Sequence, residues 1–122
     1  MDVTIELDEL PDCSGVGDVL GRIGDKWTVQ VIVLLRRQPE RFNAIKQRVP
    51  NISQQMLART LKALERDGLI NRTVRATAPP QVEYSLTEAG LSLAETVRHL
   101  AVWAVDHRRY ISDSRARYDT AQ

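Results

Sequence analysis

The chain has 122 residues, the size of one domain, and its 43% apolar and 27% charged residues are ordinary for a globular protein. No apolar run approaches the roughly 18 residues needed to span a bilayer. The start is acidic (Asp2, Glu6, Asp8, Glu9) rather than basic as in a secretory leader, and a single cysteine, Cys13, excludes an internal disulfide framework. These features lead us to expect a cytoplasmic protein, not a membrane one. The net charge of +1 hides an uneven distribution. Residues 1–25 carry seven acids against one base, residues 26–81 eleven bases against three acids, and residues 82–122 six acids against five bases. A basic middle third is the footprint expected of a nucleic-acid reader, although many solvated surfaces are locally basic.

Residues 1–12 show no periodic pattern and read as an N-terminal arm. Val16, Val19, Leu20 and Ile23 then share one helical face, and Gly24 is a plausible stop. Trp27 to Arg37 is apolar nearly all round and rich in β-branched residues. Periodicity cannot separate a buried helix from a buried strand there; length and the abrupt Arg36-Arg37 end favour a central helix. Phe42, Ile45 and Val49 form the next face, with Asn43 as its expected N-cap and Pro50 as its end. Ser53 caps the following helix, where Ile52 and Leu57 occupy the positions of a hydrophobic staple. Leu57, Leu61 and Leu64 continue its buried side, and Gly68 fits a left-handed C-terminal cap.

Leu69 to Val74 and Val82 to Leu86 have strand character and are joined across Pro79-Pro80, which reads as a β-hairpin with a stiff loop. Thr87 caps a final helix whose apolar face holds Leu93, Val97, Leu100 and Ala104. Residues 13–110 form the expected domain, and residues 111–122 read as a polar, frayed tail. The fold class is therefore mainly α with a small β-hairpin wing.

Helix, helix, tight turn, helix and hairpin is the order of a winged helix-turn-helix. The helix after the turn has two chemically distinct sides. Leu57, Leu61 and Leu64 face inward, while Gln55, Arg59, Lys62 and Arg66 recur on the other side at spacings of four, three and four. In a recognition helix the N-terminal residues reach base edges and flanking cations bind phosphate. Gln can donate to and accept from adenine, and Arg can grip guanine or phosphate. Lys46, on the helix before the turn, belongs to the same DNA-binding set. The plainer reading is an amphipathic helix with a solvated basic face; the turn before it and the wing after it weigh against that.

The chain from Cys13 to about Trp103 resembles the HxlR family of winged-helix regulators. The resemblance rests on Gly24-Asp25-Lys26-Trp27-Thr28, on Arg41-Phe42, and on Ile52-Ser53-Gln54 with Met56-Leu57. It continues in Leu61-x-x-Leu64-Glu65-x-Asp67-Gly68-Leu69-Ile70 and in Val82-Glu83-Tyr84-Ser85-Leu86-Thr87-x-x-Gly90. It implies a homodimeric bacterial transcription regulator on double-stranded DNA, and a helix for Trp27 to Arg37. It places Ser53, Gln54, Gln55 and Arg59 in the major groove, Arg75 and Thr77 in the wing, and the dimer contact on the terminal helices. Leu93, Val97, Leu100, Trp103 and Ala104 are the expected dimer residues. Two departures bear on DNA contact: Gln55 and Gln81 stand where the family often has a cation.

Relatives often carry a cysteine near Cys13, which makes it the candidate redox sensor. A thiol near a helix N-terminus reacts more readily, whereas the neighbouring Asp12 opposes ionisation. The alternative is a small, partly buried residue at the dimer edge. His99 and His107 lack a short ligand spacing, so no metal or other cofactor is expected. Trp27 and Trp103 read as packing anchors rather than a ligand cage. An unknown small-molecule effector is compatible with the fold. No phosphate loop, nucleophile motif or acid–base pair appears, so an enzyme is not expected. The rival from a different class is a winged helix used as a protein-interaction module.

Overall fold

A computed structural model describes residues 16–121. The elements in chain order are α1 (Val16–Gly24), α2 (Lys26–Leu35), β1 (Glu40–Arg41), α3 (Phe42–Arg48), α4 (Gln54–Arg66), β2 (Ile70–Arg75), β3 (Gln81–Leu86) and α5 (Glu88–Ala121).

Helix α2 is the hub, packing against α1, α3, α4, α5 and β3. Asp25 starts it by accepting a hydrogen bond from the Trp27 backbone N–H at 2.9 Å. That cap satisfies a donor that the helix itself leaves free. Val31 and Ile32 are wholly buried and Thr28 and Leu35 nearly so, which explains a helix apolar on most sides. A β-branched run is tolerated as helix because tertiary packing on several faces outweighs its weak intrinsic preference.

The core joins Val31, Ile32 and Leu35 to Ile45, Val49, Ile52, Leu57, Leu61, Leu64, Ile70 and Ala94. Trp27 packs against this cluster as an anchor. Removing a side chain as completely buried as Leu57 would cost about 2–5 kcal/mol. Ile52 and Leu57 are both buried, as a staple requires.

The end of α4 is a Schellman motif. Gly68 has φ of +77°, its N–H donates to Glu65 O at 3.0 Å, and the Leu69 N–H reaches Leu64 O at 2.9 Å. Thr87 then ties α5 to this cap. Its hydroxyl donates to Gly68 O at 2.7 Å and accepts from the Gly90 N–H at 3.1 Å. A Cβ at Gly90 would lie 2.1 Å from Leu69 O, so only glycine allows α5 to approach so closely.

The sheet is antiparallel with order β1-β3-β2, and β2 and β3 pair from Ile70↔Leu86 to Arg75↔Gln81. The hairpin is the expected one, with each strand reaching a residue further than expected at its loop end. The third strand, β1, is new; it pairs Glu40 with Tyr84 and Arg41 with Glu83.

Several expectations change. Asn43 does not cap α3: Arg41 holds the N-cap position, without a side-chain hydrogen bond, because the chain enters the helix directly from β1. The 111–122 segment is not frayed over the described residues, since α5 runs unbroken to Ala121. No Gly or Pro follows Gly90 to interrupt it. Leu20, on the apolar face of α1, is 57% exposed in the single chain. Val97, expected at the dimer contact, is 5% exposed and belongs to the chain's own interior. Leu93 is half-buried against the same core. Cys13 and the N-terminal arm lie outside the described residues.

Candidate nucleic-acid interface

Pro50-Asn51 makes the turn between α3 and α4. Asn51 adopts φ of +67°, a left-handed conformation that Asn tolerates better than most residues. The turn delivers Ser53, whose hydroxyl accepts from the Met56 N–H at 3.0 Å and caps α4. Leu57, Leu61 and Leu64, with Thr60, are buried, so the rotation of α4 about its axis is determined by packing.

That rotation turns Gln54, Gln55, Arg59, Lys62 and Arg66 outward; all are exposed, as are Ser53 and Lys46. None of Lys46, Arg59, Lys62 and Arg66 forms an ion pair with another described residue. Polar amides thus lead at the helix start and three cations follow along the same side. This arrangement presents hydrogen-bonding groups to base edges and positive charge to phosphates.

The wing behaves differently. Arg75 is exposed but its guanidinium donates to the Glu83 carboxylate at 3.2 Å. Gln81, where a cation would be usual, accepts a hydrogen bond from Arg41 Nη2 at 2.5 Å. The loop end of β3 is thereby joined to the start of α3. The Thr77 hydroxyl is occupied within the loop, donating to Pro79 O at 2.6 Å. A nearly buried carboxylate, Glu40, accepts from Gln38 at 2.9 Å and from Arg48 at 3.1 Å. This anchors β1 to the end of α3. Sequence reasoning missed all of these wing and β1 contacts.

The second surface is α5. At 34 residues it is about 51 Å long, yet only Gly90, Ala94 and Val97 on it are buried. Leu100, Val102, Trp103, Val105, Tyr110 and Tyr118 are each at least 49% exposed, and Ala104 is exposed too. Trp103 stacks on His107 with centroids 4.4 Å apart, and His107 Nδ1 lies 2.8 Å from Trp103 O. Among the described residues no helix is long and apolar enough to cross a membrane, and no cluster of three metal-ligating side chains occurs.

A basic helix seated behind a tight turn, flanked by a three-stranded wing, defines a winged helix-turn-helix protein. The family model described as HxlR-like helix-turn-helix matches residues 22–112, and the chain belongs to that family. It is 41% identical over 86 residues to the uncharacterized HTH-type transcriptional regulator YtfH of Escherichia coli; the match covers 70% of this chain and 68% of the relative. The structure of the redox regulator HypR in its reduced form superposes with a TM-score of 0.74 at 36% identity, over 82% of this chain and 99% of the other. Diamide-treated YodB from B. subtilis superposes at 0.69 and 33% identity, over 80% of this chain and 96% of the other.

Proposed function

We propose that the protein is a sequence-specific transcription regulator that binds duplex DNA as a homodimer. The observation that carries this reading is the outward row on α4, with its cations unpaired within the described fold and its back locked to the core. Gln54, Gln55 and Arg59 read bases in the major groove. Ser53 enters the major groove with them, Lys46, Lys62 and Arg66 hold phosphates, and Arg75 and Thr77 support the wing's contact. The mechanism is occupancy of an operator in the cytoplasm.

The exposed apolar residues of α5 support the dimer. A helix standing off its own body with Leu100, Trp103 and Val105 in water is stabilised by a second chain covering it. Two-fold symmetry then sets two recognition helices about 34–36 Å apart, so the operator is pseudo-palindromic. Selection of bound duplexes from a random pool tests this: half-sites separated by about one helical turn are expected, and no enrichment would leave the interaction-module reading instead.

Likeness to a redox regulator favours an added role for Cys13, the only thiol in the sequence. With one thiol per chain, a disulfide forms only between chains or with a small thiol. Diamide should change operator affinity in the wild type and leave Cys13→Ser unaffected.

A further inference from the structure

Where α1, the end of α4 and the first half of α5 meet, they enclose a groove of about 460 Å³. Its floor is apolar, formed by Leu69, Ala89 and Leu93. Asp18, Ser92 and Thr96 supply polar groups, and Arg22 and Asp67 complete the lining. The volume lies within the roughly 300–1,000 Å³ typical of small-molecule sites, and an apolar floor with a few convergent polar groups is their usual composition.

The polar groups decide the ligand's charge. Arg22, the sole cation among the described lining residues, has its Nε committed to Asp67 Oδ2 at 2.8 Å. Asp18 has no ion-pair partner among the described residues. The Thr96 hydroxyl donates to Ser92 O at 3.0 Å, so it faces a ligand chiefly as an acceptor. With two carboxylates, Asp18 and Asp67, against one guanidinium, negative charge therefore exceeds positive among the described lining residues.

We propose that this groove binds a small apolar molecule carrying a protonated amine. The apolar body covers Leu69, Ala89 and Leu93, and the ammonium group donates to Asp18 with Ser92 or Thr96. The site also has a route to α4. Asp67 is the C-cap of that helix, and the Arg22–Asp67 pair connects it to α1 across the groove. A ligand here bears on the end of the recognition helix, so the amine acts as an effector of DNA affinity. That effector role rests on the DNA-binding function proposed above; the binding site does not.

The test is calorimetric titration of the full chain with three probes sharing one ring system: 2-naphthylmethylamine, 2-naphthalenemethanol and 2-naphthoate, at pH 7. The amine should bind at least about tenfold more tightly than the other two, a difference of about 1.4 kcal/mol. Asp18→Asn should remove most of that preference. Ser92→Trp, at an exposed position, should fill the groove and abolish binding without changing the circular dichroism spectrum. Binding of none of the probes, preference for the carboxylate, or wild-type affinity in a folded Ser92→Trp would overturn the site. A second titration measures duplex affinity with and without the amine; a shift supports the effector role and an unchanged affinity overturns it. Amine binding by a protein that binds no duplex supports the site and refutes the regulator reading.

Discussion

The Arg75 guanidinium lies 3.2 Å from the Glu83 carboxylate, so the wing's candidate phosphate contact is held by an acid on the opposite strand. DNA must compete with Glu83 for that cation. Exposed pairs of this kind contribute about 0–1 kcal/mol, so the competition is modest but measurable. Glu83→Gln should raise affinity for duplexes of any sequence by a few-fold and steepen the salt dependence by up to about one unit. Fluorescence anisotropy over a salt series checks this, with Arg75→Ala removing the gain.

Gly90 marks a tight joint between α5 and the end of α4. A methyl group there would meet Leu69 O at 2.1 Å, and that oxygen also accepts the Thr87 N–H at 3.1 Å. Gly90→Ala should destabilise the protein by about 1–3 kcal/mol or more, as overpacking does. Gly21, with open space around its Cβ position, is the control; Gly21→Ala should be neutral or stabilise by up to about 1 kcal/mol. Urea titrations of both variants give the comparison.

The projecting part of α5 predicts concentration-dependent assembly. Leu100 and Trp103 are 58% and 53% exposed in the single chain, so charge introduced there leaves the protomer's core intact. Leu100→Asp with Trp103→Asp should convert dimer to monomer in sedimentation experiments and weaken operator binding sharply. A wild type that sediments as a monomer at micromolar concentration would contradict the dimer.

Glu95 provides a pH prediction. Hydrogen bonding from Arg98 at 3.2 Å holds its carboxyl below the usual range; desolvation opposes this, and the charge and hydrogen bond of Arg36 add to it. A depressed folded pKa contributes stability that is present above the unfolded value and lost as pH falls through the folded one. Because Arg36 is the C-cap of α2 and Glu95 lies on α5, the pair joins the end of the hub helix to the terminal helix. Glu95→Gln should flatten the acid side of the stability profile below about pH 4.5 and leave its neutral region nearly level. Thermal unfolding from pH 3 to 7 reads the effect.

Much of the DNA-binding half was legible in the sequence because local and tertiary signals agree there. Ser53, Leu57, Leu61, Leu64 and Gly68 mark the start, buried side and end of α4, and the structure uses each in that role. β1 was not legible, since two residues cannot show a period and Glu40 owes its place to pairing with Tyr84. The Arg75–Glu83 pair was hidden by strand ends drawn one residue short, which left Arg75 in the loop. The length of α5 was hidden because its distal half makes no core, so the apolar period that reveals packed helices fades. Val97 was assigned outward because a sequence shows that a face is apolar, not whether the chain itself or a partner covers it.

The most direct test compares Arg59→Ala and Lys62→Ala with the wild type on a selected operator and on random duplex. Loss of Arg59 should weaken operator binding strongly and collapse the preference for that sequence, with the unfolding transition unchanged. Loss of Lys62 should weaken both duplexes alike and lower the salt slope by about one unit. Undiminished operator affinity in a folded Arg59→Ala protein would contradict the placement of α4 in the major groove.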